Sequence, residues 1–329
     1  MKNTDFSHGK FVLTPGFAGI GNMEVIMKRF PAVFIIAAAC IWGSMGIFVR
    51  RIEVIGFSPM DIVAIRSIGA FLILLLYTFF FRRRLLLICR KDLALFAASG
   101  ILSITFFNYC YFTTITRTSL SLAAVLLYTA PSFVILLAHV FFKERITPRK
   151  ILTLLMSFAG CVFVSGILKN SLKLGAADFM LGIGAGFGYA LYSIFTRAAL
   201  SRGYSSLTIT LYTFFFAGLS SLPFADFART IRLIRLNCRI WPDLASMVLL
   251  VTIAAYALYT FGLHSMEAGT ASILACIEPV VATGFGFLLY RERLTPMEAI
   301  GIVLVLTSSV VVNLSPKSKM NKKEAKDLC

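Results

Sequence analysis

The sequence has few charged residues and almost no histidine for its length. Among its 329 residues, 14% are charged, 15 are acidic and 3 are histidine. A soluble domain carries about 25% charged residues, so this chain lacks the polar surface that would keep it in water. Hydrophobic residues make up 58% of it. The composition therefore predicts an integral membrane protein surrounded by the lipid bilayer.

The chain also lacks the sequence signatures of disulfide frameworks, metal sites and common hydrolases. Its seven cysteines form no CxxC pair and mostly lie within or beside apolar runs, as small apolar side chains do. No HExxH motif, GxSxG motif or pair of mid-membrane aspartates occurs, which argues against an intramembrane enzyme. We predict that the protein is not an enzyme and holds neither a metal ion nor a cofactor.

Positive charge is abundant, with a formal net charge of +17. Nearly every Lys and Arg lies in a short gap between apolar runs, which is typical of charge that flanks membrane helices and not of a nucleic-acid surface. With the N-terminus inside, 20 of these residues fall in inner segments and 11 in outer gaps. We predict no nucleic-acid partner, a location in the cytoplasmic (inner) membrane and two cytoplasmic termini.

Ten apolar segments of about 18–24 residues remain when the chain is cut at its charged or turn-rich gaps. Crossing hydrocarbon as a helix takes about 20 residues, and a chain in lipid must satisfy its backbone hydrogen bonds internally. The sequence therefore predicts an all-α membrane protein with ten transmembrane helices, called spans 1 to 10 here. Their expected limits are 31–49, 59–81, 93–114, 120–142, 149–168, 176–198, 205–224, 243–264, 269–290 and 296–314.

Both ends of the chain are polar. Residues 1–29 are predicted to form a disordered cytoplasmic tail, with translation starting at Met1 or further along, at Met23 or Met27. Residues 316–329 are predicted to form a basic cytoplasmic tail. Neither tail is expected to contribute to the membrane-embedded fold.

The two halves of the chain resemble each other. Residues 143–148 (KERITP) recur as 291–296 (RERLTP), and the same shift of 148 aligns Pro131 with Pro279. Because each copy would contain five spans, an odd number, the second copy must enter the membrane upside down, as in the inverted repeats of secondary transporters. The predicted repeats are residues 30–168, with spans 1 to 5, and residues 169–315, with spans 6 to 10.

The recurring hexapeptide is predicted to be a turn between helices and not a binding site. Its charges are expected to be solvated at the membrane surface, where Glu144 and Glu292 pair locally. Thr147 and Thr295 are placed to cap the helix that follows, since a threonine oxygen accepts a bond from an unpaired N–H group of the first turn. The inverted arrangement puts Glu144 on the inside and Glu292 on the outside.

Several longer stretches resemble the EamA family of the drug/metabolite transporter superfamily. The resemblance covers about residues 30–314. It implies two five-helix repeats and an exporter or importer of small metabolites, without fixing the substrate. The matching stretches are "CIWGSMGIFVR", "FSPMDIVAIRSIGA", "SLAAVLLYTAPSF" running to "FFKERITP", and "GTASILACIEPVVATGFGFLLYRERLT".

Pro131 and Pro279 lie near the middle of spans 4 and 9. A proline removes one backbone hydrogen bond and crowds the carbonyl four residues earlier, here that of Leu127 or Ala275. In lipid, a freed carbonyl must face protein, water or a ligand. The symmetry favours paired kinks that act as hinges beside a central cavity; simple packing kinks are the alternative interpretation.

Glu278 is the only carboxylate near the centre of any predicted span. A charge at this depth is costly unless it is paired, protonated or hydrated. We predict that Glu278 binds a cationic group of a substrate or carries a coupling proton; a neutral glutamic acid packed between helices is the alternative. Its equivalent in the first repeat is Ala130, so the cavity is expected to be chemically asymmetric.

Other polar and aromatic side chains within spans are candidates for the cavity wall. The repeat aligns Trp42 with Tyr189, and a buried tyrosine hydroxyl needs a partner. Arg66, about two turns into span 2, fits a structural role and a functional role equally well. The predicted substrate-binding residues are Trp42, Asn108, Tyr128, Tyr189, Tyr256 and Glu278.

Taken together, these features predict a secondary active transporter that works by alternating access. Its predicted partner is a small-molecule substrate, such as an amino acid or a similar amphipathic solute, and Glu278 is the candidate site of proton coupling. The protein is expected to be a monomer or a homodimer. A passive facilitator or channel for small solutes is the main alternative function.

Overall fold

The computed structural model describes residues 30–165, 167, 175–290 and 295–314. Within these residues, all regular secondary structure is helical. The helices of the first half are Pro31–Gly43, Met45–Val54, Pro59–Phe81, Leu93–Gly100, Ile101–Phe106, Phe107–Arg117, Leu120–Leu127, Ala130–Phe142 and Pro148–Val164. Those of the second half are Ala176–Ser201, Ser206–Ser221, Phe227–Leu236, Trp241–Ser246, Met247–Ala254, Ala255–His264, Ala268–Ala275, Ile277–Tyr290 and Pro296–Asn313. Short 3₁₀ turns are Arg83–Leu86, Arg90–Asp92, Leu222–Phe224 and Cys238–Ile240.

Nine helical segments of the described chain are long and apolar enough to cross a membrane. Span 5 is the shorter helix Pro148–Val164, whose 17 residues reach about 26 Å at 1.5 Å per residue. The predicted all-α membrane fold is thereby confirmed. Spans 1 to 4 and 6 to 10 are Pro31–Val54, Pro59–Phe81, Arg90–Arg117, Leu122–Phe142, Ala176–Ser201, Ser206–Phe224, Cys238–His264, Ala268–Leu289 and Pro296–Asn313.

Threonines cap the two helices that follow the recurring hexapeptide. The Thr147 hydroxyl accepts a hydrogen bond from the Lys150 N–H group at 3.2 Å. The Thr295 hydroxyl accepts one from the Glu298 N–H group at 3.4 Å, and the Glu298 carboxylate accepts one from Thr295 N–H at 2.7 Å. Both predicted caps are confirmed. The two predicted tails and Glu292 lie outside the described residues.

Spans 4 and 9 are each interrupted at equivalent places. Span 4 ends its first helix at Leu127 and span 9 at Ala275, and each second helix starts within three residues. Pro131 and Pro279 therefore lie in the first turn of a new helix, where a missing N–H group costs no hydrogen bond. Spans 3 and 8 also match each other, because both contain a π-helical segment, Ile101–Phe106 in one and Met247–Ala254 in the other.

Glycines allow neighbouring helices to approach both interruptions closely. A Cβ atom on Gly43 of span 1 would lie 2.7 Å from the Glu278 carbonyl oxygen, and one on Gly186 of span 6 would lie 2.9 Å from the Leu126 carbonyl oxygen. Real Cβ atoms do not approach so closely, so only glycine fits. Spans 1 and 6, which are equivalent in the two repeats, thus contact the interruptions of spans 9 and 4 in the same manner.

The contacts between spans are the same when each span is replaced by its equivalent in the other repeat. Span 1 packs against spans 8 and 9, and its equivalent, span 6, packs against spans 3 and 4. Spans 2 and 7, 4 and 9, and 5 and 10 pack against their own equivalents. The two inverted repeats therefore interleave in one bundle, and the space at its centre is bounded by both.

Candidate functional site

A large cavity lies between the two repeats. Its volume is about 750 Å³, which is in the range of sites for small molecules. Five of the predicted site residues line it: Trp42, Asn108, Tyr128, Glu278 and Pro279. Because these residues come from spans 1, 3, 4 and 9, the cavity exists only when the repeats are assembled.

The cavity opens at one end of the bundle. Its wall there includes Arg50, Glu53 and Thr116, which we call the mouth; all three are exposed. Phe287, near the end of span 9, also lines the wall. The mouth therefore lies at the end of the bundle where spans 1, 3 and 9 finish.

Glu278 lies in the first turn of the second helix of span 9, just after the interruption. Its side chain interacts with that of Tyr189, and its backbone carbonyl is held against Gly43 of span 1. The interruption thus fixes the depth of the carboxyl group on the cavity wall. Ala130, its equivalent in span 4, is buried and is not among the lining residues, so the wall is chemically asymmetric.

A cluster of tyrosine rings packs against Trp42 without lining the cavity. The Trp42 ring centre lies 6.4 Å from that of Tyr189, 5.1 Å from Tyr256 and 5.3 Å from Tyr259. The Tyr192 hydroxyl is hydrogen-bonded to Thr260, and that of Tyr259 to Ser193. Tyr189 and Tyr256, which the sequence predicts as lining residues, are not among those that line the cavity; they contact Trp42 and position it.

The cavity wall also contains Arg66, hydrogen-bonded to Asn108. Arg66 Nη2 donates to Asn108 Oδ1 at 3.3 Å, and Asn108 Nδ2 donates to the Ile104 carbonyl at 2.7 Å. The sequence left the role of Arg66 open. The only signal for this contact was that a single arginine and a single asparagine occur inside two consecutive spans.

The end of the bundle opposite the mouth is closed by an ionic cluster of Glu144, Lys150 and Glu267. Lys150 Nζ lies 2.7 Å from Glu267 Oε2 and 3.7 Å from Glu144 Oε2. Glu144 Oε1 accepts a bond from Ala268 N–H at 2.8 Å, and Oε2 accepts one from Gly269 N–H at 3.3 Å. Because Glu144 and Lys150 belong to the first repeat and Glu267 to the second, this sealed end joins the repeats.

This arrangement corrects the expectation that Glu144 is a solvated surface charge. Glu144 is only 9% exposed, and its carboxylate caps the first helix of span 9. A carboxylate at a helix N-terminus is favoured because it meets unpaired N–H groups and the positive end of the helix dipole. The sequence could not reveal this contact, since the capped helix is 124 residues away.

Three further ion pairs join the repeats. At the mouth end, Arg51 is paired with Asp243 at 3.2 Å and Arg117 with Asp178 at 3.8 Å; at the sealed end, Arg202 is paired with Asp92. The Tyr204 hydroxyl donates to Asp92 Oδ2 at 2.5 Å. Burial raises the pKa of Tyr204 to about 12, and its bond to the Asp92 carboxylate acts in the same direction, so Tyr204 remains a donor at neutral pH.

No group of three or more His, Cys, Asp and Glu side chains in the described chain is arranged to hold a metal ion. What the cavity offers is carboxyl groups, guanidinium groups and aromatic faces. Such a wall binds and orients a small solute by charge, hydrogen bonding and stacking.

The bundle of interleaved inverted repeats around a central cavity defines a multi-pass membrane transporter. The chain belongs to the EamA-like transporter family, whose model matches residues 29–166 and again residues 178–314. The two matches coincide with two five-span repeats.

Relatives over nearly the whole chain are also described as transporters. An uncharacterized inner membrane transporter of Salmonella typhimurium, YicL, is 25% identical over 292 residues, which cover 87% of this chain and 95% of that protein. An uncharacterized transporter of Archaeoglobus fulgidus is 25% identical over 288 residues, covering 86% and 96%. A solved crystal structure has the same fold, with a TM-score of 0.68, 14% identity and coverage of 88% of this chain and 99% of the other.

Proposed function

We propose that the protein is a secondary active transporter of the cytoplasmic membrane that moves a small amphipathic metabolite, such as an amino acid, by alternating access. The single observation that carries the proposal is the cavity of about 750 Å³ between the repeats, with an ionisable carboxyl group and aromatic faces on its wall. A metabolite with an apolar part and a charged amine fits Trp42, Tyr128 and Glu278. The whole cavity belongs to one chain, so the monomer is the unit of transport, whether or not a homodimer forms.

The contrast between the mouth and the sealed end supports alternating access. The repeat aligns Lys150 with Glu298 and Glu267 with Ser119. The cation and one anion of the sealed end are therefore replaced by an anion and a neutral side chain at the mouth end. The aligned positions 298 and 119 therefore cannot form the same ionic cluster, which agrees with a cavity that is open at that end. Breaking the Lys150 cluster would be required to open the other end.

Glu278 is the group best placed to couple transport to protons. It lies in the part of span 9 that a movement at the interruption would displace, and a deprotonated carboxylate at mid-membrane depth is far more costly to move than a neutral carboxyl group. Binding of a proton or of a cationic solute to Glu278 would therefore decide whether the cavity can change the side on which it opens. Tyr189 provides a hydrogen-bonding neighbour for either state.

The test is transport by purified protein in sealed vesicles with an imposed proton gradient. A metabolite mixture is offered, and concentrated solutes are identified by mass spectrometry. We expect accumulation that collapses with a protonophore, and a Glu278→Gln variant that no longer responds to pH or to the gradient. Glu53→Gln, which removes an exposed carboxylate at the mouth, serves as the matched control and is expected to keep the gradient dependence.

A passive channel would give a different result. Flux through a channel runs down the solute gradient only and never accumulates solute against it. If solute only equilibrates in vesicles that contain correctly folded protein, the proposal of secondary active transport is wrong. If Glu278→Gln accumulates solute with an unchanged dependence on pH, transport stands and the role of Glu278 in coupling is wrong.

A further inference from the structure

A buried arginine without a carboxylate partner lies in the cavity wall. Arg66 is 4% exposed, and no carboxylate of the described residues forms an ion pair with it. Its neighbours are uncharged: Asn108 Oδ1 at 3.3 Å, Met45 Sδ at 3.9 Å and the side chain of Tyr256. Its Nε atom is buried and has no hydrogen-bond partner among the described residues.

This environment leaves Arg66 without an anion in contact with it among the described residues. Removing a cation from water costs several kcal/mol unless an anion or a full set of hydrogen bonds replaces the water. An amide oxygen, a tyrosine side chain and a thioether sulfur replace only part of it, because all three are uncharged and a thioether is a weak acceptor. The remaining compensation has to come from the cavity that Arg66 borders.

We propose that Arg66 and Asn108 form an anion-binding subsite that receives a carboxylate group of the transported solute. The inference deepens the proposed function and rests on it for the identity of the occupant. The guanidinium group is planar and matches a carboxylate with two parallel hydrogen bonds. Asn108 fixes its orientation, since the bond from Nδ2 to the Ile104 carbonyl holds Oδ1 toward Arg66.

The charge of the cavity selects a monovalent anion over a phosphate. Arg66 faces a cavity whose wall also contains the carboxylates of Glu278, Glu53 and Glu298, and one other cation, Arg50 at the mouth. A dianionic phosphate would exceed the single positive charge of Arg66 and be repelled by these carboxylates. Neither Arg66 nor Glu278 has an ion-pair partner among the described residues. A solute that carries both a carboxylate and an amine can pair with the two side chains at once.

The test measures binding to the purified full-length protein by its thermal stabilisation, with three probes that share one phenylethyl group. The probes are 3-phenylpropanoate (carboxylate only), phenethylamine (amine only) and phenylalanine (both). We expect the two carboxylate probes to bind the wild type. The Arg66→Gln variant should weaken both of them about 10- to 100-fold, as loss of a charge-assisted bond predicts, and leave phenethylamine unchanged. Arg66→Lys, which keeps the charge and loses the planar fork, should give an intermediate loss.

A second variant keeps the test decisive if Arg66→Gln does not fold. Asn108→Asp places a carboxylate where Asn108 Oδ1 now accepts the Arg66 bond, so it neutralises Arg66 internally and should preserve or raise the melting temperature. If Arg66 binds the anion of the solute, Asn108→Asp will also lose the carboxylate probes. A purely structural Arg66 would leave probe binding unchanged in this variant.

Each outcome decides the proposal. Equal binding of 3-phenylpropanoate to the wild type and to folded Arg66 and Asn108 variants would overturn the anion subsite, and so would the failure of either carboxylate probe to bind the wild type. Flux is measured separately in vesicles. Binding that depends on Arg66 without any flux would contradict the transport proposal alone, and concentrative flux without binding that depends on Arg66 would contradict the subsite alone.

Discussion

At the residue scale, the most consequential contact is the one that Lys150 makes between two carboxylates. Lys150 and Glu144 are both buried, with side chains 7% and 8% exposed. Lys150 also donates to the Arg145 carbonyl at 3.2 Å. A buried charge that loses its partner is strongly destabilising, because the remaining charge stays desolvated. The ionic cluster therefore stabilises the folded protein and also keeps this end of the bundle closed.

Lys150→Met should lower the stability of the protein by about 3 kcal/mol, since Glu144 would remain buried without its cation. For a chain of this size we expect a melting temperature lower by about 5–10 °C in detergent. Arg51→Met is the matched control, because it breaks an ion pair between the repeats in which Arg51 is 62% exposed. Exposed pairs contribute at most about 1 kcal/mol. Equal losses in the two variants would contradict the special role of the sealed end.

The sequence reveals some of the candidate site residues and not others. Glu278 could be selected as a candidate because it is the only carboxylate in mid-span, and a charge there is costly enough to require a reason. The position of Trp42 on the cavity wall could not be distinguished from that of Tyr189 and Tyr256, which pack against Trp42 and do not line the cavity. In a membrane protein, helix faces toward lipid and toward other helices are both apolar, so the sequence of span 6 does not define the rotation of Tyr189.

At the element scale, the interruptions of spans 4 and 9 hold the cavity wall in place. Each interruption is contacted by a glycine of the other repeat, Gly186 of span 6 at span 4 and Gly43 of span 1 at span 9. Gly43 contacts span 9 next to Glu278. The prolines are the sequence signal at both interruptions, where the sequence predicts kinks, whereas the π-helical segments of spans 3 and 8 have no comparable marker. Their positions follow from packing in the folded bundle.

Gly43→Ala is expected to disturb span 9 at Glu278. The added Cβ would lie 2.7 Å from the Glu278 carbonyl oxygen and 2.8 Å from Val281 Cβ, and overpacking of this kind costs about 1–3 kcal/mol. We expect a lower melting temperature and weaker binding of amine probes. Gly284→Ala is the control, because a Cβ there has nothing within 4 Å and alanine suits a helix interior better than glycine. A Gly43→Ala protein with the stability and binding of Gly284→Ala would contradict the close contact.

At the scale of the whole molecule, the first span of each five-span repeat packs against spans of the other repeat. Sequence comparison of the two halves predicted the repeats through the hexapeptides and the prolines. It could not predict that span 1 packs against spans 8 and 9, because contacts between the repeats leave no periodic signal in a uniformly apolar chain. The ionic cluster at one end breaks the exchange symmetry, so the two ends of the bundle differ in charge although their backbones correspond.

The inverted arrangement makes a prediction about the two faces of the membrane. Arg149 and Met297 are equivalent under the shift of 148, are both exposed, and lie at the second position of their helices. Cysteines introduced singly at these positions, in a background without native cysteines, should react with a membrane-impermeant thiol reagent from opposite sides. From the distribution of positive charge we expect position 149 to react only after the cells are opened and position 297 to react in intact cells. Reaction of both positions from one side would refute the inverted repeat, whereas the reverse assignment would keep the repeat and invert the orientation of the whole protein in the membrane.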